Sequence, residues 1–203
     1  MSDMQLWIDV LADRDESLLL KKAQAEFQVA LSLLSIGSYR YAFVALRSCL
    51  ELALTGVQHS AHALWHSQWK AGRRDIVWAS LSDDSDGVLS PTYAKEFAPG
   101  LESETRHVAA IAKSAYRQCS EFVHGNLAVD ELVSNVYVFS QNSFKRWHEV
   151  AENVQFVIVF ALAMRFLSRL DSTQLAVLEQ CLIERLGHLT VVREFLSQTP
   201  GVS

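Results

Sequence analysis

Two residues near the middle of the chain have side chains suited to joint work on a phosphate. Arg117 and His124 stand seven positions apart in the stretch AYRQCSEFVHGN. A helix turns about 100° per residue, so this spacing puts both side chains on nearly one face, about 10 Å apart along the axis. A histidine titrates near neutrality and can move a proton, while a guanidinium stays charged and stabilises negative charge developing on phosphate oxygens. Phosphodiester cleavage without a metal is the chemistry that follows. RNA is its natural substrate, because the 2′-hydroxyl supplies an internal nucleophile that the histidine can activate. The same spacing also suits a histidine that does no more than interact with the helix end beside Gly125.

The pair needs a helix to carry it, and the sequence supplies one from about Leu101 to Val123. Acidic residues stand in its first turns, no breaker interrupts it, and Gly125 and Asn126 stop it. Apolar residues at three-to-four spacing predict an earlier amphipathic helix over Ser17 to Ile36. Gly37 ends it, and Ser38 caps a second helix through Ala42, Phe43, Leu46, Leu50 and Leu54, so the two form an antiparallel hairpin. After Gly56 helix is expected to about Lys70, then a short strand or irregular stretch over Asp75 to Leu81, and an acidic loop through Asp83, Asp84, Asp86 and Gly87. Ser90 and Pro91 open a short helix to about Phe97. Beyond the motif, helices are expected over Ser143 to Arg169, from the Asp171–Ser172 cap to about Leu186, and from Leu189 to Leu196. Val133, Val136, Val138 and Phe139 favour extended backbone between them.

Three prolines and eight glycines in 203 residues leave long unbroken stretches, which favours an all-α helical bundle over short strands and tight turns. The length fits a single helical domain over 1–203, with its core at about 17–170 and a helical extension at 171–197. A long irregular insertion separates the second helix from the motif helix. The net charge of −5 removes any general attraction to nucleic acid, so contact with RNA must be local. Lys70, Arg73 and Arg74, and again Lys145 and Arg146, are small basic clusters that read as solvated surface. Cys49, Cys119 and Cys181 are odd in number and widely spaced, which argues against a disulfide framework and for a reducing, cytoplasmic setting. An acidic N-terminal stretch is unlike a signal peptide. The apolar run Phe156 to Met164 is nine residues long, so a buried core helix is expected rather than a membrane span.

Other groupings carry less. His62 and His66 form an HxxxH pair with His59 one turn earlier, but no HExxH carboxylate accompanies them, so no metal site is assigned and no cofactor is expected. Trp65, Trp69 and Trp78 read as packing residues. Arg47 and Glu51 stand at i, i+4, the spacing of an intrahelical ion pair. Phosphate-loop, dinucleotide and serine-hydrolase motifs are missing from the sequence.

The Arg117–His124 arrangement resembles the HEPN superfamily (higher eukaryotes and prokaryotes nucleotide-binding), helical domains that carry an arginine, four to six residues, and then a histidine. The spacer here is the six residues QCSEFV. The resemblance extends to Arg47 and Glu51 in ALRSCLELAL, which look like the polar pair that many members aim at the motif helix, and it covers roughly Ser38 to Arg169. It implies a metal-independent endoribonuclease of a toxin or antiphage system. Arg117, His124 and Glu51 would be its catalytic residues, with Arg47, Gln118, Ser120, Glu121 and Asn126 around the substrate. Many active members have a polar group such as Asn directly after the arginine; Gln118 is polar but longer. The family's sites are commonly shared between two protomers, which implies a homodimer, with RNA as substrate and a cognate antitoxin or regulatory protein as partner. The superfamily also holds catalytically silent members, so the alternative is a helical module that binds a nucleotide or a partner protein.

Overall fold

The computed structural model describes residues 3–123 and 138–198. The protein is an all-α helical bundle, with no strand among the described residues. Helix α1 spans Asp3–Val10, α2 Ser17–Ser35 and α3 Tyr39–His59. Three short helices follow, α4 over Ala63–Lys70, α5 over Trp78–Leu81 and α6 over Pro91–Phe97, and a 3-10 stretch over Pro99–Glu104 leads into α7 at Thr105–Val123. Beyond it lie α8 at Gln141–Phe166, a 3-10 turn at Leu167–Arg169, α9 at Ser172–Leu186 and α10 at Thr190–Gln198.

Helix α3 is the axis of the bundle, in contact with α2, α7 and α8. Its buried residues Ala42, Phe43, Ala45, Leu46, Cys49, Leu50, Ala53 and Leu54 cover about half of its circumference, which suits a helix covered on several sides. Helix α7 buries a narrower stripe, Val108, Ala112, Ala115, Cys119 and Phe122. Where these stripes meet, the Phe43 and Phe122 rings stack at 3.9 Å with an interplanar angle of 6°. Alanines on both helices let the backbones approach closely enough for that contact. Apolar burial of this kind contributes about 1.5–3 kcal/mol per large side chain.

Several expected boundaries hold and others shift for identifiable reasons. Gly37 ends α2 with φ of +74°, and a Cβ there would lie 2.9 Å from the Val138 carbonyl oxygen. Ser38 occupies the cap of α3 but its hydroxyl makes no cap hydrogen bond. Asp171 and Gln174 form a reciprocal capping box at α9, and Ser90 accepts from the Tyr93 backbone N–H at 3.1 Å. Helix α3 runs through Gly56 to His59, because the missing side chain admits α2: a Cβ at Gly56 would sit 3.3 Å from the Leu19 Cβ. Asp75 to Leu81 contains no strand and ends in the short α5.

Helix α1, absent from the expected elements, packs on α2, α8 and α9 with Trp7 fully enclosed. Its Asp3 receives Arg185 of α9 at 2.7 Å, and the same guanidinium reaches Gln155 of α8 at 2.9 Å. Met4, Trp7, Ile8 and Leu11 carried the signal in sequence, over a helix only two turns long. Helix α8 is long and apolar enough to cross a membrane by length and composition, yet most of its apolar segment is buried against neighbouring helices. Within it, buried Arg165 donates to the Ser60 hydroxyl at 2.7 Å and to the Ser60 carbonyl at 2.9 Å, and lies over the Phe97 ring. That one side chain ties both ends of the 60–104 segment to the core.

Phe43→Ala is expected to cost about 3–5 kcal/mol, by loss of burial and opening of a cavity under α7. Urea unfolding followed by circular dichroism measures it, and a loss below about 1 kcal/mol would remove this stack from its structural role.

Candidate functional site

The two turns of α7 that lead to the motif histidine carry three classes of side chain in register. Ala115, Cys119 and Phe122 face the core. Tyr116 and Ser120 stand at the edge toward α3, and Arg117 points outward and is exposed. On α3, Arg47 and Glu51 sit one position past the buried Leu46 and Leu50, which brings them to the edge that meets α7.

Arg47 is the centre of a polar lock across this boundary. Its Nη2 lies 3.4 Å from Glu51 Oε1 and donates to the Tyr116 hydroxyl in a short hydrogen bond. The guanidinium carbon is also 4.5 Å from the Tyr116 ring centroid, a cation–π distance. Arg47 and Glu51 are only 22% and 21% exposed, so the pair is screened less than a surface ion pair. Burial, and then the Glu51 carboxylate, hold the Tyr116 phenol above its ordinary range, so it stays a neutral donor and acceptor. Ser120 donates to the Tyr116 carbonyl at 2.7 Å, a bond within the helix.

A second contact joins α7 to α8, where Arg146 donates to Glu121 at 2.9 Å with its guanidinium 5.3 Å from the Phe122 ring. Cys119 is buried between the two contacts and feels the charges of Arg47, Arg146 and Glu51. Burial pushes its thiol up to about 12 and raises Cys49 further, so neither offers a thiolate nucleophile near neutrality.

The structure therefore brings Arg47, Glu51, Ser120 and Glu121 to one end of α7, and adds Tyr116 and Arg146. Gln118 is half-buried and, among the described residues, its hydrogen bond goes to Ser114, at 3.4 Å. Arg117 has no ion-pair or hydrogen-bond partner among the described residues and is not joined to the Arg47–Glu51 pair. His124 and Asn126 lie outside the described residues, immediately after the end of α7. Sequence reasoning missed Tyr116 and placed Arg146 only in a basic cluster. Their signal was positional: Tyr116 precedes Arg117, and Arg146 opens a helix that must cross α7.

The histidines assort differently from their sequence spacing. His62 precedes the first turn of α4 and stacks on Trp65 at 3.9 Å. His59 and His66 are the ones that meet, edge to face at 5.8 Å, each beside Trp69. Desolvation first, then the neighbouring His66 and Arg74, lower His59 to about 4, so it is neutral at physiological pH. No group of three or more metal-ligating side chains occurs among the described residues. Trp78 stacks flat on Tyr116, 3.9 Å away at 2°, and so braces the polar lock from the side of the 60–104 segment.

Compared with known proteins, the chain matches no family, no curated protein and no solved structure.

Tyr116→Phe removes the hydroxyl that Arg47 donates to while keeping the ring. It is expected to cost about 1.5–2 kcal/mol, the lower part of the range for a hydrogen bond to a charged group, because the site is only partly buried. The urea midpoint should fall at unchanged slope; an unmoved midpoint would show that the lock holds no stability.

Proposed function

We propose that this protein is a metal-independent endoribonuclease that works as a homodimer, with His124 and Arg117 as its reacting groups. The observation that carries the reading is the Arg47–Glu51–Tyr116 lock. It fixes the last turns of α7 against α3 just before the arginine–histidine motif, while leaving Arg117 exposed and unpaired among the described residues. A guanidinium that no carboxylate neutralises keeps its full charge for a phosphate.

In the proposed reaction His124 takes the proton of a 2′-hydroxyl as that oxygen bonds to the adjacent phosphorus. The bond from phosphorus to the 5′-oxygen breaks, and an imidazolium returns a proton to the leaving oxygen. The products are a 2′,3′-cyclic phosphate and a free 5′-hydroxyl. Arg117 stabilises the charge that builds on the non-bridging oxygens. Glu51, already engaged by Arg47 and Tyr116, positions α7 and does not exchange protons. A second protomer completes the site by setting its own α7 end against the first, which brings two Arg117 side chains to one phosphate. Within this reading the protein serves as the growth-arresting part of a toxin or antiphage system in the cytoplasm, restrained by an antitoxin or regulator.

Purified protein is expected to cut mixed RNA in the presence of EDTA, and His124→Ala and Arg117→Ala are each expected to lower the rate about 100-fold or more, as loss of a general base or a charge-stabilising group does. Light scattering at micromolar concentration should give the mass of a dimer, and expression should slow host growth unless Arg117 is replaced. Equal cleavage by wild type and His124→Ala, or none by either, would remove the reading in favour of a silent nucleotide- or protein-binding module.

A further inference from the structure

A cleft of about 450 Å³ opens between the 81–91 stretch and α7, with Trp78, which stacks on Tyr116, in its lining. Its floor is apolar, from Leu54, Leu81 and Leu89, and its α7 wall is built from Arg106, Ala109, Ala110 and Lys113. The size is that of a small-molecule site, and the mixture of an apolar floor with a few polar groups is typical of one.

The charges at its mouth are of two kinds. Asp83 Oδ1 accepts the backbone N–H groups of Ser85 and Asp86, both at 2.8 Å, which commits that oxygen to the loop. Asp84 meets Lys113 at 2.7 Å in an exposed pair, an interaction weak enough for another anion to replace. Arg106 is exposed and has no partner among the described residues. At helical spacing Arg106, Lys113 and Arg117 fall on one face of α7, with only alanines at Ala109 and Ala110 between the first two. One aromatic wall, an apolar floor and a row of cations leading to the motif match a flat heteroaromatic ring that carries a phosphate.

We infer that this cleft binds a nucleoside phosphate unit, its base against Trp78 and the leucine floor and its phosphate toward Arg106 and Lys113. The inference rests on the ribonuclease reading for the assignment of the unit to RNA: it is the nucleotide held beside the scissile phosphate, with the strand following the cationic face of α7 toward Arg117. A free nucleotide shares the chemistry. Stacking on an aromatic side chain contributes about 1–3 kcal/mol per base in other proteins and tolerates any base, so little sequence preference is expected at this position.

Adenosine 5′-monophosphate and an unpaired eight-nucleotide 2′-O-methyl RNA, which cannot be cleaved through its 2′-oxygen, are titrated by calorimetry into the full-length protein. Both should bind the wild type. Ala110→Trp, which fills the cleft from an exposed position, should weaken both about tenfold or more, a change of about 1.4 kcal/mol or more. Arg106→Ala should weaken both in the same direction, and Arg117→Ala should weaken the RNA alone. Unchanged circular dichroism for the variants confirms folding, and should Ala110→Trp fail to fold, Arg106→Glu at the surface takes its place. Binding of the monophosphate without the RNA would assign the cleft to a free nucleotide and overturn its place in the strand path. No binding of either, or equal binding by the cleft variants, would overturn the site itself. Failure of the ribonuclease reading shows separately, as absence of His124-dependent cleavage while monophosphate binding persists.

Discussion

Arg47 carries a fixed charge at the partly covered edge of α3, next to that helix's buried face, and a charge so placed is stabilised by a partner where it stands. Glu51 on its own helix and Tyr116 on α7 supply the partners, so the desolvation of one guanidinium dictates which turn of α7 faces α3. The apolar contacts beneath, with Phe43 on Phe122 at 3.9 Å, provide most of the attraction between the helices but tolerate some sliding and rotation. The polar lock sets the register. From it follow the outward direction of Arg117 and the flat support of Trp78.

Separation of roles explains why the residues around the motif differ so much in environment. Glu51 and Glu121 are each tied to an arginine of another helix turn or another helix. Arg117 has no such partner among the described residues. It shares one face of α7 with Arg106 and Lys113, an arrangement suited to anions. On a chain with net charge −5, that local row is where a phosphate backbone would be received.

The sequence made the long elements legible because periodicity over several turns leaves little choice: α2, α3, α7 and α8 are all recognisable from spacing. Short elements were harder. Helix α1 is held by tertiary burial of Trp7, and α5 by the packing of Trp78 on Tyr116, neither of which is visible in a one-dimensional pattern. Gly56 lies inside α3, where its small size serves the approach of Leu19, a reason that no local pattern shows. At the site, the i, i+4 spacing of Arg47 and Glu51 announced their ion pair, but the third partner lies 69 positions away from Arg47 and only folding brings it in. The histidines show the same limit: an HxxxH spacing suggested His62 with His66, whereas the start of α4 at Ala63 separates them and leaves His59 as the partner.

The central claim is that the end of α7 cleaves RNA through its own 2′-oxygen. An oligoribonucleotide of defined sequence, cut by the wild-type protein in EDTA, tests it when compared with the same strand bearing a single 2′-deoxy sugar at the cut position. The account predicts a 2′,3′-cyclic phosphate on the product and no cut at the deoxy position. Cleavage that is indifferent to the 2′-deoxy substitution, or that leaves an uncyclised 5′-phosphate product, would contradict it.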